Sequence, residues 1–132
     1  MLYIFPAGTT ATVITDYDRP YADPIAVRDG DVVVPDLARS TETDILGWTW
    51  CTGPDGRSGW TPTAWTSPVE DGRWRMLRDF SALEHTVRRG DRAALHLSES
   101  GFVWATVNGL AAWIPDAVLR LDAPNAAPRG QT

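Results

Sequence analysis

Five short sequence blocks occur twice in this chain, in the same order, and this repeat constrains the fold more than any other feature. The clearest pairs are Gly47–Cys51 with Gly101–Ala105 and Trp60–Pro62 with Trp113–Pro115. The spacing between matched blocks only shrinks along the chain, as it does when surface loops of the second copy lose residues. The sequence therefore predicts a duplicated unit, with copies at about 8–68 and 72–122.

Both copies are rich in short β-prone runs and lack the periodicity of helices. Trp48–Cys51 and Phe102–Ala105 are aromatic, β-prone runs at matching places. Asp55–Gly56 and Asn108–Gly109 tolerate positive φ and favour tight hairpins. No long stretch has a 3.6-residue apolar period, and prolines interrupt most helical windows of the first copy. We therefore predict an all-β protein of two small barrels in tandem.

The end of each copy has its own pattern. Pro62–Trp65 and Pro115–Val118 each suit a single 3₁₀ turn before a last strand. Because units of about 60 residues are marginal alone, we expect the two to pack on each other. The tryptophans in excess of one groove are candidates for that packing: Trp50, Trp74 and Trp104. The tail, 123–132, is rich in Ala and Pro and is predicted to be disordered.

Charge and composition exclude several classes of protein. The chain carries 12 basic residues, all arginine, against 17 acidic ones, for a net charge of −5. This balance argues against binding to a nucleic acid or to an anionic membrane surface. Arginine as the sole basic residue type is typical of a GC-rich genome, so we expect a bacterial protein. Met1–Pro6 lacks the basic start of a secretory signal, and we expect a cytoplasmic location.

Nothing in the sequence predicts catalysis or a cofactor. A single cysteine excludes an internal disulfide, and with two histidines it does not make a standard zinc site. Nucleotide-binding and hydrolase motifs are absent from the sequence. Cys51 aligns with Ala105 and is predicted to be a small buried residue. His85 and His96 are predicted to be surface or rim residues.

The matched blocks also resemble a known family. In the first copy they are Val13–Tyr17, Gly30–Asp31, Trp48–Cys51 and Gly59–Pro62. In the second copy they are Met76–Phe80, Gly90–Asp91, Phe102–Ala105 and Ala112–Pro115. Each copy resembles an SH3 domain, and the chain resembles a bacterial tandem SH3 protein over most of its length.

This resemblance implies two five-stranded barrels with an aromatic groove that binds proline-rich peptides. Polyproline segments are already extended and lose little entropy on docking between flat rings, and acidic loop residues pair with a flanking Arg or Lys. The matching groove positions of the first copy are Tyr17, Trp48, Trp60, Pro62 and Trp65, with Asp18 and Asp23 in the acidic loop. The matching positions of the second copy are Phe80, Phe102, Trp113 and Pro115, with Glu84 in the loop.

Alternative interpretations remain open from the sequence. The groove aromatics are also candidates for the core or for contact between the two units, because a small domain must bury some large rings. We expect the binding of a peptide or partner protein to be carried by the first copy. The alternatives are a structural or inhibitory subunit, such as an immunity-type protein, that docks rigidly on one cognate protein, and binding of cell-wall glycan or a small ligand.

Overall fold

The structure, a computed structural model, describes residues 1–43 and 45–123. Within these residues the regular elements are β-strands and short 3₁₀ turns, which confirms the all-β prediction. No helical segment among them is long and apolar enough to cross a membrane. The predicted disordered tail, 123–132, lies outside the described residues except for Ala123.

The strands are short and follow one another closely. In chain order they are β1 (Tyr3–Ile4), β2 (Thr10–Val13), β3 (Ala26–Val27), β4 (Val32–Asp36), β5 (Trp48–Thr52), β6 (Ser58–Pro62), β7 (Thr66–Pro68), β8 (Trp74–Met76), β9 (Phe80–Ser81), β10 (Arg92–Glu99), β11 (Phe102–Val107), β12 (Leu110–Pro115) and β13 (Leu119–Leu121). The 3₁₀ turns are Arg39–Glu42, Thr63–Trp65, Glu70–Gly72 and Asp116–Val118.

Two antiparallel sheets and one short ladder contain all of these strands. The larger sheet has the order β12-β11-β10-β2-β13, with β1 also paired to β10. The smaller sheet has the order β6-β5-β4-β8-β7. Strands β3 and β9 form a separate ladder, in which Val27 faces Phe80.

The opening strand of each sequence copy lies in the sheet of the other copy, an arrangement that we call the strand exchange. Strand β2 belongs to the first copy but pairs with β10 and β13, so that Thr12 faces Arg92 and Arg120. Strand β8 belongs to the second copy but pairs with β4 and β7, so that Arg75 faces Val32 and Ser67. The sheets therefore divide the chain differently from the predicted units 8–68 and 72–122.

Each of the two hydrophobic clusters contains buried residues from an exchanged strand. In β2 the alternate residues Ala11 and Val13 are fully buried, and they pack in a cluster whose other buried residues come from the second copy. In β8 the fully buried Met76 packs with Val33 and Cys51 of the first copy. Because successive side chains of a strand point to opposite faces, each exchanged strand supplies one apolar row to the other copy's core.

Buried tryptophans tie the two copies together by hydrogen bonds as well as by packing. The indole Nε1–H groups of Trp48 and Trp65 donate across the copies, to Ser100 O (2.9 Å) and to Glu99 Oε1 (2.9 Å), whereas that of Trp113 donates within the second copy, to Ser81 O (2.7 Å). A buried donor without a partner costs about 1–3 kcal/mol, so these bonds make the burial of large polar rings tolerable.

The turn chemistry agrees with the sequence prediction. Asn108 and Gly109 have φ values of 51° and 82° and join β11 to β12, as expected for this dipeptide. The 3₁₀ turns Thr63–Trp65 and Asp116–Val118 lie where they were predicted, each directly before a strand.

His85 is a correction to the sequence prediction, which placed it at the surface or rim. Its side chain is 3% exposed, and Nε2 donates to the carbonyl oxygen of Ala105 at 2.8 Å. The prediction failed because the burial of His85 depends on its contact with Ala105, which lies on the distant strand β11. Burial lowers the pKa of His85, and the nearby charge of Arg19 lowers it further. His96, by contrast, is exposed as predicted.

The strand exchange predicts which engineered cysteines can meet. In a Cys51→Ala background, Thr12→Cys with Arg92→Cys should form a disulfide, because facing residues hold their Cβ atoms about 4.5–5.5 Å apart. Thr12→Cys with Val32→Cys should stay reduced, because Val32 faces Arg75. Peptide mapping of the oxidised full chain by mass spectrometry measures both. The opposite pattern, with a bond only in the second pair, would show that the strands are not exchanged.

The burial of His85 predicts a loss of stability in mild acid. Its folded pKa lies below the value of about 6.5 of the unfolded chain, so the stabilisation is complete above that pH and declines as pH falls. The free energy of unfolding should therefore decrease between about pH 7 and about pH 5. Urea unfolding of His85→Gln should show a flatter profile, and the control His96→Gln should keep the native one. An unchanged slope in His85→Gln would refute the assignment.

Candidate functional site

Residues from both sequence copies line a groove of about 180 Å³, which we call the aromatic groove. It contains six of the predicted site residues: Tyr17, Trp48, Trp60, Glu84, Phe102 and Trp113. The sequence analysis assigned these residues to two separate grooves, one on each copy. The structure brings them together because the strand exchange carries the chain after β2 across to the second copy.

Backbone pairing holds the two loop residues of the groove in place. Tyr17 exchanges backbone hydrogen bonds with Val87 at 2.9 and 2.8 Å. On either side of Glu84, Leu83 and His85 bond to the backbone of Trp113 at 2.9 and 2.8 Å. The bonds to Trp113 place the Glu84 segment beside β12 at the edge of the larger sheet, so both loop residues stand on ordered backbone.

The floor of the aromatic groove is made of interlocking buried rings. Trp48 is 8% exposed and Trp113 is 3% exposed, with ring centroids 5.6 Å apart and planes at 87°. The Phe102 ring meets Trp48 edge to face at 5.3 Å. Such edge contacts add about 0.5–1.5 kcal/mol beyond burial. Trp48 and Trp113 are thus core residues that also form the floor, whereas the half-buried Tyr17, Trp60 and Phe102 form the walls.

One hydrogen bond joins the two polar groups, a phenol and a carboxylate, on one side of the aromatic groove. The hydroxyl of Tyr17 donates to Glu84 Oε1. Burial raises the pKa of Glu84, opposed by this bond and by the charge of Arg19. Burial, and then the Glu84 carboxylate itself, raise the pKa of Tyr17 as well. Tyr17 therefore keeps its proton, and Glu84 is held as the acceptor of a phenol.

Sequence reasoning missed part of the groove. Its lining also includes Pro20, Tyr21, Thr43 and Ile45. Tyr21 packs on Trp50 with ring centroids 5.3 Å apart, and its hydroxyl accepts from Arg39 Nη2 at 3.2 Å. The proline and tyrosine within the acidic loop were visible in the sequence, but their spacing matched no repeated block.

The two predicted acidic loop residues do not line the aromatic groove. Asp18 is exposed and pairs with Arg88 at 2.8 Å. Asp23 is also exposed and pairs with Arg57 at 2.8 Å. Both carboxylates thus have partners within the chain.

The other predicted residues lie elsewhere. Trp65 and Phe80 are 6% and 5% exposed and line a wider cleft of about 700 Å³, where the Arg78 guanidinium lies 4.4 Å from the centre of the Trp65 ring. That cleft is lined by charges of both signs: Arg28, Arg57, Arg78, Asp31 and Asp79. Pro62 is fully buried and Pro115 is half-buried, and both lie outside the two cavities.

The remaining reactive side chain is buried. Cys51 is fully buried, as predicted, and burial raises the pKa of its thiol to about 11. Within residues 1–43 and 45–123, no three His, Cys, Asp or Glu side chains are grouped so as to hold a metal ion. What the aromatic groove offers is flat apolar rings and a carboxylate bound to a phenol, a surface suited to an extended apolar segment.

Comparisons with known proteins add no assignment. The chain matches no protein-family model, no curated protein and no solved structure at a significant level.

The bond between Tyr17 and Glu84 should contribute measurably to stability. Tyr17→Phe should lower the free energy of unfolding by about 1–3 kcal/mol, because it leaves a half-buried carboxylate without its donor. The same change in a Glu84→Gln background should cost less, and the difference, obtained from urea unfolding, is the coupling energy. The control Tyr21→Phe removes a longer bond and should have a smaller effect. Equal losses for Tyr17→Phe in both backgrounds would contradict the coupling.

Proposed function

We propose that this chain is a non-enzymatic interaction protein that binds a peptide segment of a partner protein in the aromatic groove. The observation that carries the proposal is that six residues predicted from the sequence, three from each copy, line one groove. Polyproline segments suit such a groove because they are already extended and their flat rings pack between aromatic side chains.

The finer fold behind this proposal is a pair of SH3-like five-stranded barrels that exchange their first strands. The strand orders β6-β5-β4-β8-β7 and β12-β11-β10-β2-β13 support it, because the two lists place equivalent strands in equivalent positions. The 3₁₀ turn before the last strand of each copy supports it as well. We further propose a bacterial protein located in the cytoplasm, an expectation that rests on the sequence alone.

A second candidate function is that of a structural or inhibitory subunit docking rigidly on one partner. Exposed apolar side chains favour it: Leu37, Ile45 and Leu46 are 64%, 43% and 87% exposed, and Ile45 also lines the groove. Apolar residues at a groove rim widen the surface available to a folded partner. Isolation from a native lysate of one stoichiometric partner without proline-rich segments would favour this function over peptide binding.

Binding should depend on Trp60, which is half-buried in the wall of the groove. Trp60→Ala should weaken the binding of a decapeptide with a Pro-x-x-Pro repeat by about tenfold or more, as expected for a central aromatic contact. Isothermal titration calorimetry measures the affinity. The matched control is Trp74→Ala, which removes a half-buried indole from outside the groove and should leave affinity unchanged.

Thermal unfolding of both variants separates a binding defect from a folding defect. No binding of the peptide at millimolar concentration by the native protein would remove the peptide-groove proposal. Equal losses of affinity in both variants would place the binding surface outside the aromatic groove.

A further inference from the structure

The carboxylates predicted to recognise a basic ligand are all engaged within the chain. In the expected binding mode, acidic loop residues pair with an Arg or Lys that flanks the proline-rich core. Here Glu84 accepts from the Tyr17 hydroxyl, and both residues line the groove. Asp18, which follows Tyr17 in the same loop, pairs with Arg88 at 2.8 Å.

Two further acidic residues near this loop, Asp23 and Asp16, also have partners within the chain. Asp23 lies 2.8 Å from Arg57, whose guanidinium also bonds Asp55 at 2.8 Å. Asp16 accepts from the backbone N–H of Arg89 at 2.8 Å. The carboxylates of the acidic loop therefore pair with arginines from two places. Arg88 lies in the second copy, and Arg57 lies in the β5–β6 hairpin.

Little charge remains to attract a cation into the groove. Among the described residues that line it, Glu84 is the one with an ionisable carboxylate or base, and the others are aromatic, apolar or hydroxyl side chains. Arg19 contributes a positive charge next to Glu84. A ligand cation would compete with an internal partner for each of these carboxylates, and exchange of one exposed ion pair for another gains little affinity.

We infer that the ligand of the aromatic groove is a proline-rich segment without a basic flank, recognised by its contacts with rings and not by charge. This inference rests on the proposed function and names its ligand class. Arg88 is a specificity-determining residue in this scheme, because it occupies the carboxylate of Asp18 that would otherwise meet a ligand arginine.

Three peptides with one Pro-x-x-Pro core and flanks of Gly, Arg or Asp test the inference. The native protein should bind the Gly-flanked and Arg-flanked peptides with dissociation constants within about threefold of each other. Affinity should change by less than about twofold between about 50 and about 500 mM salt, since contacts between rings are not screened. Calorimetry with the full chain measures both.

A variant tests the role of Arg88. Arg88→Ala should free Asp18 and create a preference of about threefold or more for the Arg-flanked peptide, lost at high salt. The matched control is Arg120→Ala, an exposed arginine on β13 away from the groove, which should leave the peptides undistinguished.

The outcomes are separable. Binding of the Arg-flanked peptide tenfold tighter than the Gly-flanked one by the native protein would overturn the inference and leave the proposed function standing. An unchanged ranking in Arg88→Ala would overturn the role of Arg88. Failure of all three peptides to bind would remove the proposed function and this inference together.

Discussion

The structure depends on the reciprocal pairing of two short strands with partners distant in sequence. Strand β2 completes the larger sheet between β10 and β13, and β8 completes the smaller sheet between β4 and β7. The sheet formed mainly by each copy takes its opening strand from the other copy, so backbone hydrogen bonds join the two copies in both sheets. Sheets of this size need every strand to bury enough apolar surface, and here that burial is mutual.

The aromatic groove is a product of the same pairing. Trp48 and Trp113 belong to different copies, yet their rings pack against each other and form one floor. Their indole N–H groups are bonded to the backbone, so the flat faces stay apolar and fixed in direction. Rings that are already fixed in the core lose little conformational entropy when a ligand binds. A groove with such a floor is therefore suited to holding an extended segment.

Local signals in the sequence predicted the class of fold but not the pairing of strands. Asn108–Gly109 and Pro115–Val118 specify a hairpin and a turn through their own backbone preferences, and both were found where predicted. The strand exchange escaped prediction because Ala11 and Val13 alternate in the same way as Trp74 and Met76, and alternation alone does not specify which sheet a strand joins. The aromatic residues of the groove were recognisable as a set, but their division between floor and wall depends on contacts between copies that the repeat alone does not contain.

The strand exchange also has a consequence for synthesis on the ribosome. Strand β2 leaves the ribosome before its neighbours β10 and β13, which lie far downstream in the sequence. Until then its backbone groups and its buried row of Ala11 and Val13 have no native partner, and an unpaired strand is open to association with other nascent chains. The larger sheet thus closes only after β13 has been synthesised, and until then β2 is a segment that a chaperone would need to shield.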